Sequence, residues 1–403
     1  MLFRRFAVLF ALCCVVFSVS ACTDRSAEPP VVVEGYVRVE PDEAAKLFQS
    51  MTPGLQGLQS WNDLRPALED SLGYILRRPK GARCVNRPGL DLKWGELASS
   101  VAELIALLPR LDANPELLAE RFAWFRMSPE TLLTGYYEPW LEASLEPGGE
   151  YQYPLYGVPE DLRTVDLGRF HHRWKGQTLV YRVDGDRIEP YFDREGIDGN
   201  GALKKQDVEV AWAKDPVDVF FLQIQGSGRL ELPGGQVKHI LYGGKNGRPY
   251  VSLGRVLIER GHIPREEMSM QRIRAFLNAN PDVARDLMFE NPSYVFFRLS
   301  DNGPYGSMSS ILTPRVSVAV DRTMAPLGGV MLLQTALLDY DNGGVTPFNS
   351  LVLAQDTGGA IKGTRCDFFC GSGREAEFLA GHLQENARLY MMVSRRVLEA
   401  VGK

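Results

Sequence analysis

The chain has 403 residues, 45% apolar and 24% charged, with 39 glycines, 25 prolines and a formal net charge of −5. This is the composition of a globular protein of two or three domains, not of a disordered or fibrous one. An acidic chain without a polybasic stripe is a poor binder of nucleic acid, so no nucleic-acid partner is expected.

The N-terminus reads as a leader. Arg4 and Arg5 precede an apolar stretch from Phe6 to Val19, and Val19-Ser20-Ala21-Cys22 follows. A basic segment, a short apolar run and small residues before a cut site make a secretory signal over residues 1–21. Small residues directly before a cysteine look like a bacterial lipobox, which would make Cys22 the lipidated first residue. A plain signal peptide with a nearby cysteine is the alternative. Several acyl chains on one residue would anchor stably, and Thr23 rather than Asp after the cysteine favours the outer membrane by bacterial sorting rules. Loss of residues 1–21 removes two arginines and takes the net charge from −5 to −7. Residues 22–35 are polar and Pro-containing, a tether.

Helical signals follow over 41–51, 60–76, 96–111 and 115–125, where apolar residues such as Leu64, Leu68, Leu72 and Ile75 recur at helical spacing. From Leu133 the pattern becomes short β-branched or alternating runs broken by Gly, Pro and Asn, including TLVYRV, VDVFFLQIQGSG and VKHILYG. Such runs predict a barrel or sandwich. Helices return at 252–261 and 265–278. After Pro292 strands resume with YVFFRL, VSVAVDR, VMLLQTALL, SLVLAQD and LYMMVSR. Consecutive domains and one domain inserted into another both fit this order.

Few chemistries survive inspection. The five histidines show no metal-ligand spacing, and an adjacent pair such as His171 and His172 would point to opposite faces of a strand. No metal or cofactor is expected. Around Ser227 the sequence IQGSG lacks the first glycine of a serine-hydrolase elbow. QGSG after an apparent strand offers either backbone N–H groups and a hydroxyl for a polar ligand or a simple hairpin turn. Asp356-Thr357-Gly358 resembles an aspartic-protease triplet, but that chemistry needs two such aspartates sharing a proton and the chain has one D-T-G. Asp367, within RCDFFCG, shares a strand face with Phe369, and apolar neighbours would raise its pKa. It reads either as a general acid or as a turn residue capping CGSG. Cys366 and Cys370 would lie roughly 13 Å apart on a strand, too far to bridge. Cys84 with one of them is the plausible disulfide in an oxidising compartment.

In order along the chain stand GYYEP (135–139), QYPLY (152–156), IQGSG (224–228) and YGGKNGRPYVSLGRVLIERG (242–261). EEMSMQRIRAF (266–276), NPSYVFF (291–297), SVAVDR (317–322) and DTGGAIKG with the aspartate eleven residues on (356–367) complete the series. Over about residues 130–390 the chain resembles the membrane-bound lytic murein transglycosylase A family. The resemblance implies a mainly β fold with α: a double-psi β-barrel domain with helices (36–138 and 300–403), interrupted by a smaller inserted β-barrel domain (139–299), with a groove between them.

It also implies a peptidoglycan lytic transglycosylase, cleaving the β-1,4 MurNAc–GlcNAc bond without water and leaving 1,6-anhydromuramic ends. One aspartate would serve as acid and then base, and that role falls on Asp367. Asp356, Asp321 and Lys362 would support it. Thr134, Tyr136, Tyr137, Trp140, Gln225, Ser227, Lys245 and Asn246 would bind glycan, although Lys245 and Lys362 also read as surface charge. The expected partners are peptidoglycan glycan strands, the outer membrane through the N-terminal lipid, and proteins of cell-wall synthesis or hydrolysis. The alternatives are a catalytically silent peptidoglycan-binding lipoprotein and a hydrolytic muramidase. The cysteines flanking Asp367 depart from the family pattern.

Overall fold

The computed structural model describes residues 34–48, 51–400 and 402. The leader, Cys22 and nearly all of the tether lie outside the described residues. Gly35, placed in the tether by sequence, already belongs to a strand, Gly35–Arg38, where it pairs with Ser128. No described helix is long and apolar enough to cross a membrane.

Six strands close on themselves. Thr131–Glu138 pairs with Gln384–Ser394, then follow Val330–Leu338, Val345–Asp356, Ser317–Val320 and Cys366–Ser372, which pairs back to Thr131–Glu138. Two pairings are parallel, Ser317–Val320 with Val345–Asp356 and Cys366–Ser372 with Thr131–Glu138; the others are antiparallel. Parallel strands cannot be joined by a hairpin, so Cys366–Ser372 meets a partner more than two hundred residues earlier. The interior is filled by residues such as Val318, Leu332, Leu351, Leu353 and Phe368, all fully buried.

The helices expected over 60–76 and 96–111 form as Arg65–Leu76 and Trp94–Leu111; they cover one side and bury Leu68, Leu97, Val101, Leu104 and Leu108 in the same core. The predicted helix over 115–125 shrinks to Leu117–Arg121, and Phe122–Ser128 is a strand instead. Its FAWF run is buried on both faces, a use of aromatics that suits a strand better than a one-sided helix.

Between Glu138 and Ser317 the chain builds a second six-strand sheet. Its order is Val295–Ser300, Val237–Lys245, Gly228–Glu231, Trp140–Ser144, Glu209–Ala213, Tyr153–Tyr156. No ladder joins its two edge strands among the described residues, so this sheet is open rather than a second closed barrel.

The VDVFFLQIQ segment, read from sequence as a strand, is the helix Pro216–Gln225. Asp215 caps its N-terminus by accepting from Val217 N–H, Pro216 occupies the first turn, and Gly226 ends it at φ 85°. Most of its residues are buried, which erased the amphipathic period. QGSG is therefore a helix C-cap leading into a strand, not a hairpin. His171 and His172 are not split across a strand either: a short 3-10 turn stacks their rings at 4.4 Å.

Candidate active site

The strand Cys366–Ser372 alternates as its sequence predicts. Phe368 is buried in the barrel, 5.4 Å between ring centroids from Phe348, whereas Asp367 and Phe369 face the other way. Register does the rest: Thr134 lies opposite Asp367, and Tyr136 opposite Phe369. Gly135 between them has no side chain, which lets helix Arg374–His382 approach; a Cβ there would sit 2.9 Å from the Cα of Ala380.

Two carboxylates occupy this face, in different states of engagement. Asp356 is bonded at both oxygens: Oδ1 accepts from Ser307 N–H (3.0 Å) and Ser307 hydroxyl (2.9 Å), and Oδ2 accepts from Tyr136 hydroxyl (3.0 Å). Asp367 accepts at Oδ1 from Thr134 hydroxyl (2.8 Å), while its Oδ2 takes no bond from a described protein group. Burial pushes the Asp367 carboxyl from 3.8 up to about 6. The Thr134 bond and the Arg365 charge oppose this, and the nearby Asp356 charge adds to it. Burial raises Asp356 as well, against the donors that hold it. The arrangement leaves Asp367 Oδ2 as the oxygen able to give or take a proton, next to a carboxylate used for structure.

The same architecture is found in solved proteins. A family model described as the MltA specific insert domain matches residues 132–298, and a 3D domain model matches 316–393. A crystal structure of membrane-bound lytic murein transglycosylase from Agrobacterium tumefaciens superposes with TM-score 0.75 at 32% identity, covering 91% of this chain and 99% of that one. Escherichia coli MltA with bound chitohexaose gives TM-score 0.63 at 27% identity, with 82% and 90% covered. Membrane-bound lytic murein transglycosylase A of Escherichia coli is 35% identical over 342 residues, 76% of this chain and 85% of the relative. The Vibrio cholerae protein of that name is 34% identical over 266 residues, and the match spans 65% of each chain. The chain belongs to the membrane-bound lytic murein transglycosylase A family.

Of the residues expected to serve this family's chemistry, Thr134, Tyr136, Asp356 and Asp367 come together. Asp321 bonds to none of the four. Its Oδ1 accepts from Thr323 N–H (2.8 Å) and its Oδ2 from Gly363 N–H (2.9 Å), which ties down the segment leading to Asp367. Partial burial works against ionisation of Asp321, but these N–H groups and Lys362 hold it below the usual carboxylate range. Lys362 itself is exposed, and its charge acts on Asp321.

Other expected residues lie outside this hydrogen-bonded cluster. Tyr137, on the opposite face of its strand, is buried with its hydroxyl 3.3 Å from Glu377 Oε1, under helix Arg374–His382. Gln225 is spent on the seam between the two sheets, its Oε1 accepting from Tyr137 N–H (3.0 Å). Trp140 is 44% exposed, with the Arg229 guanidinium 5.4 Å from its ring centroid. Lys245 is exposed and Ser227 half-buried, and neither is committed to another described group.

Asn246, expected on the glycan, is fully committed inside the protein. It donates to Phe192 O (2.9 Å) and Pro292 O (2.8 Å) and accepts from Tyr294 N–H (2.9 Å) and Arg248 N–H (3.2 Å). Asn246→Ala should therefore lower stability by about 2–4 kcal/mol, because it strands buried backbone groups. Thermal unfolding checks this; a stable variant with raised KM would return Asn246 to the substrate.

The three cysteines of the folded part are free. Cys84 sits in the hairpin Arg83–Arg87 and Leu90–Lys93 with its thiol 3.3 Å from Leu92 O, while Cys366 and Cys370 are buried in the barrel. The disulfide considered from sequence is not formed. Three neighbours escaped sequence reading. Ser307 holds Asp356, Arg365 reaches Thr134 (3.3 Å), and Tyr250 is close enough for its ionisation to feel Asp367 and Arg365. Arg365 precedes the strand Cys366–Ser372, so its place beside Thr134 could not be read from strand period.

Proposed function

We propose that this chain is a lytic transglycosylase of peptidoglycan, cleaving the β-1,4 MurNAc–GlcNAc bond with 1,6-anhydromuramic acid as product. Asp367 alone moves the proton. Its neutral carboxyl protonates the glycosidic oxygen as the anomeric C–O bond breaks. The sugar's own 6-hydroxyl oxygen then bonds to the anomeric carbon and its proton passes to the Asp367 carboxylate. No water is consumed and the acid is regenerated. A glycosidase of the hydrolytic kind needs a second carboxylate as base or nucleophile.

The observation that carries this reading is the contrast between the carboxylates. Asp356 has both oxygens occupied by Ser307 and Tyr136, and Asp367, raised to about 6, keeps Oδ2 free. Binding of chitohexaose by the Escherichia coli relative supports a glycan substrate.

On this reading the substrate lies in a groove between a double-psi barrel domain (36–138 and 300–403) and an inserted domain (139–299). Tyr136, Trp140, Ser227, Lys245 and Tyr250 face it. The chain is held at the outer membrane, facing the periplasm, through lipid on Cys22, where cell-wall synthesis or hydrolysis proteins are within reach.

Turnover of purified sacculi against pH tests the role of the acid. A general acid must be protonated, so kcat/KM should fall tenfold per pH unit above a midpoint of about 6. A rate that rises through this range would mean that Asp367 acts first as a base.

A further inference from the structure

Thr134 stands between two groups that together decide where its hydrogen points. Arg365 Nη2 lies 3.3 Å from Thr134 Oγ1, and Oγ1 lies 2.8 Å from Asp367 Oδ1. A guanidinium only donates and keeps its proton at all accessible pH. Its N–H therefore fills a lone pair of Oγ1, and the hydroxyl hydrogen is left to donate to Oδ1. A proton on Oδ1 would face that hydrogen, so the proton of the neutral acid belongs on Oδ2.

We propose that Arg365 is a positioning residue that, through Thr134, assigns the proton of Asp367 to Oδ2. This deepens the reading of Asp367 as the acid and rests on it. The same oxygen then gives its proton to the glycosidic oxygen and receives the proton of the 6-hydroxyl, so the carboxyl need not turn between the two half-steps. The guanidinium also favours the carboxylate formed midway. Arg365 Nε is buried and takes no hydrogen-bond partner among the described residues, so the guanidinium's contact with the site runs through Nη2 to Thr134.

The other groups facing Asp367 do not replace this role. Asp356 approaches from Val345–Asp356, Tyr136 from Thr131–Glu138, Cys366 and Cys370 from its own strand, and Tyr250 from the segment before helix Leu253–Glu259. The residue opposite on Ser317–Val320 is Ala319, which cannot titrate. Arg365 is the cation acting on the acid.

The test is a double-mutant cycle with Arg365→Met and Thr134→Val, read by kcat, KM and pH profile on sacculi. Each single change should lower kcat about tenfold with KM nearly unchanged, and the pair should also lose about tenfold, because both break one relay. Arg365→Lys, which keeps a cationic donor, should recover most of the loss. A hundredfold loss in the pair, or a silent Arg365→Met, would overturn the proposal.

Carboxyl-carbon NMR of labelled aspartate gives a readout that needs no turnover. Arg365→Met and Thr134→Val should each move the Asp367 titration upward, and an unmoved titration in either overturns the relay. If the wild type makes no anhydro ends while these shifts appear, the function assigned to Asp367 fails and the relay stands. Should Arg365→Met not fold, Thr134→Val and Arg365→Lys carry the same comparisons.

Discussion

Asp367→Asn is expected to lower release of saccharides from sacculi by about a thousandfold while making the protein more stable. The loss follows from removing the one group proposed to move the proton, an effect of order 10^2 to 10^4 for a general acid. The gain follows from linkage. The folded-state pKa of Asp367 is raised from 3.8 to about 6. Below about pH 4 the group is protonated folded or unfolded, and it costs nothing. As the pH rises to 6 the unfolded chain ionises first, and the folded state falls behind by up to about 3 kcal/mol, a deficit that persists at neutral pH. Asparagine never ionises, so the variant should unfold at higher temperature at pH 7 and lose that advantage at pH 4. Calorimetry at the two pH values checks it. An Asp367→Asn protein less stable at pH 7 would mean that the carboxylate is held by donors, not desolvated.

Glu138→Ala should destabilise the protein by about 2–4 kcal/mol, because one buried carboxylate joins the two sheets. Glu138 ends the strand that carries Thr134 and Tyr136, and its side chain is 1% exposed. Oε2 accepts from Arg229 Nε at 2.7 Å and Oε1 lies 2.7 Å from His239 Nδ1, both on strands of the second sheet. The variant leaves a guanidinium and an imidazole without their acceptor, and the half-burial of Arg229 keeps the cost below that of a fully enclosed pair. Denaturant unfolding measures it. On the proposed reading, in which Trp140 meets the glycan, KM should rise as well, since Arg229 bonds Glu138 and lies over the Trp140 ring. A variant with unchanged stability would show that the junction is held by its apolar contacts.

Legibility in the sequence followed the range of the interaction. Strands with strict alternation, such as Cys366–Ser372, could be placed with their inward and outward faces, and Asp367 with Phe369 was correct from period alone. Which strand lies beside it was not, because a parallel pairing between residues near 134 and 367 leaves no turn to read. Only the family resemblance brought those segments together. The segment 216–225 misled because burial on most sides removed its helical period, although Asp215-Pro216 and Gly226 marked its ends. Asn246 misled differently: an amide in a polar Gly-rich segment looks the same in sequence whether it meets a sugar or four backbone groups. Arg365 was overlooked because a charged residue between Thr364 and Cys366 reads as surface until the strand opposite supplies Thr134.

The claim that one aspartate suffices because the sugar supplies its own nucleophile is tested most directly by digestion in water enriched in the heavy oxygen isotope. Mass analysis of the released saccharides should find anhydro ends, one water lighter than reducing ends, with no heavy oxygen incorporated. Reducing ends carrying the heavy isotope would show that water attacks, and would require a second catalytic base that this account does not contain.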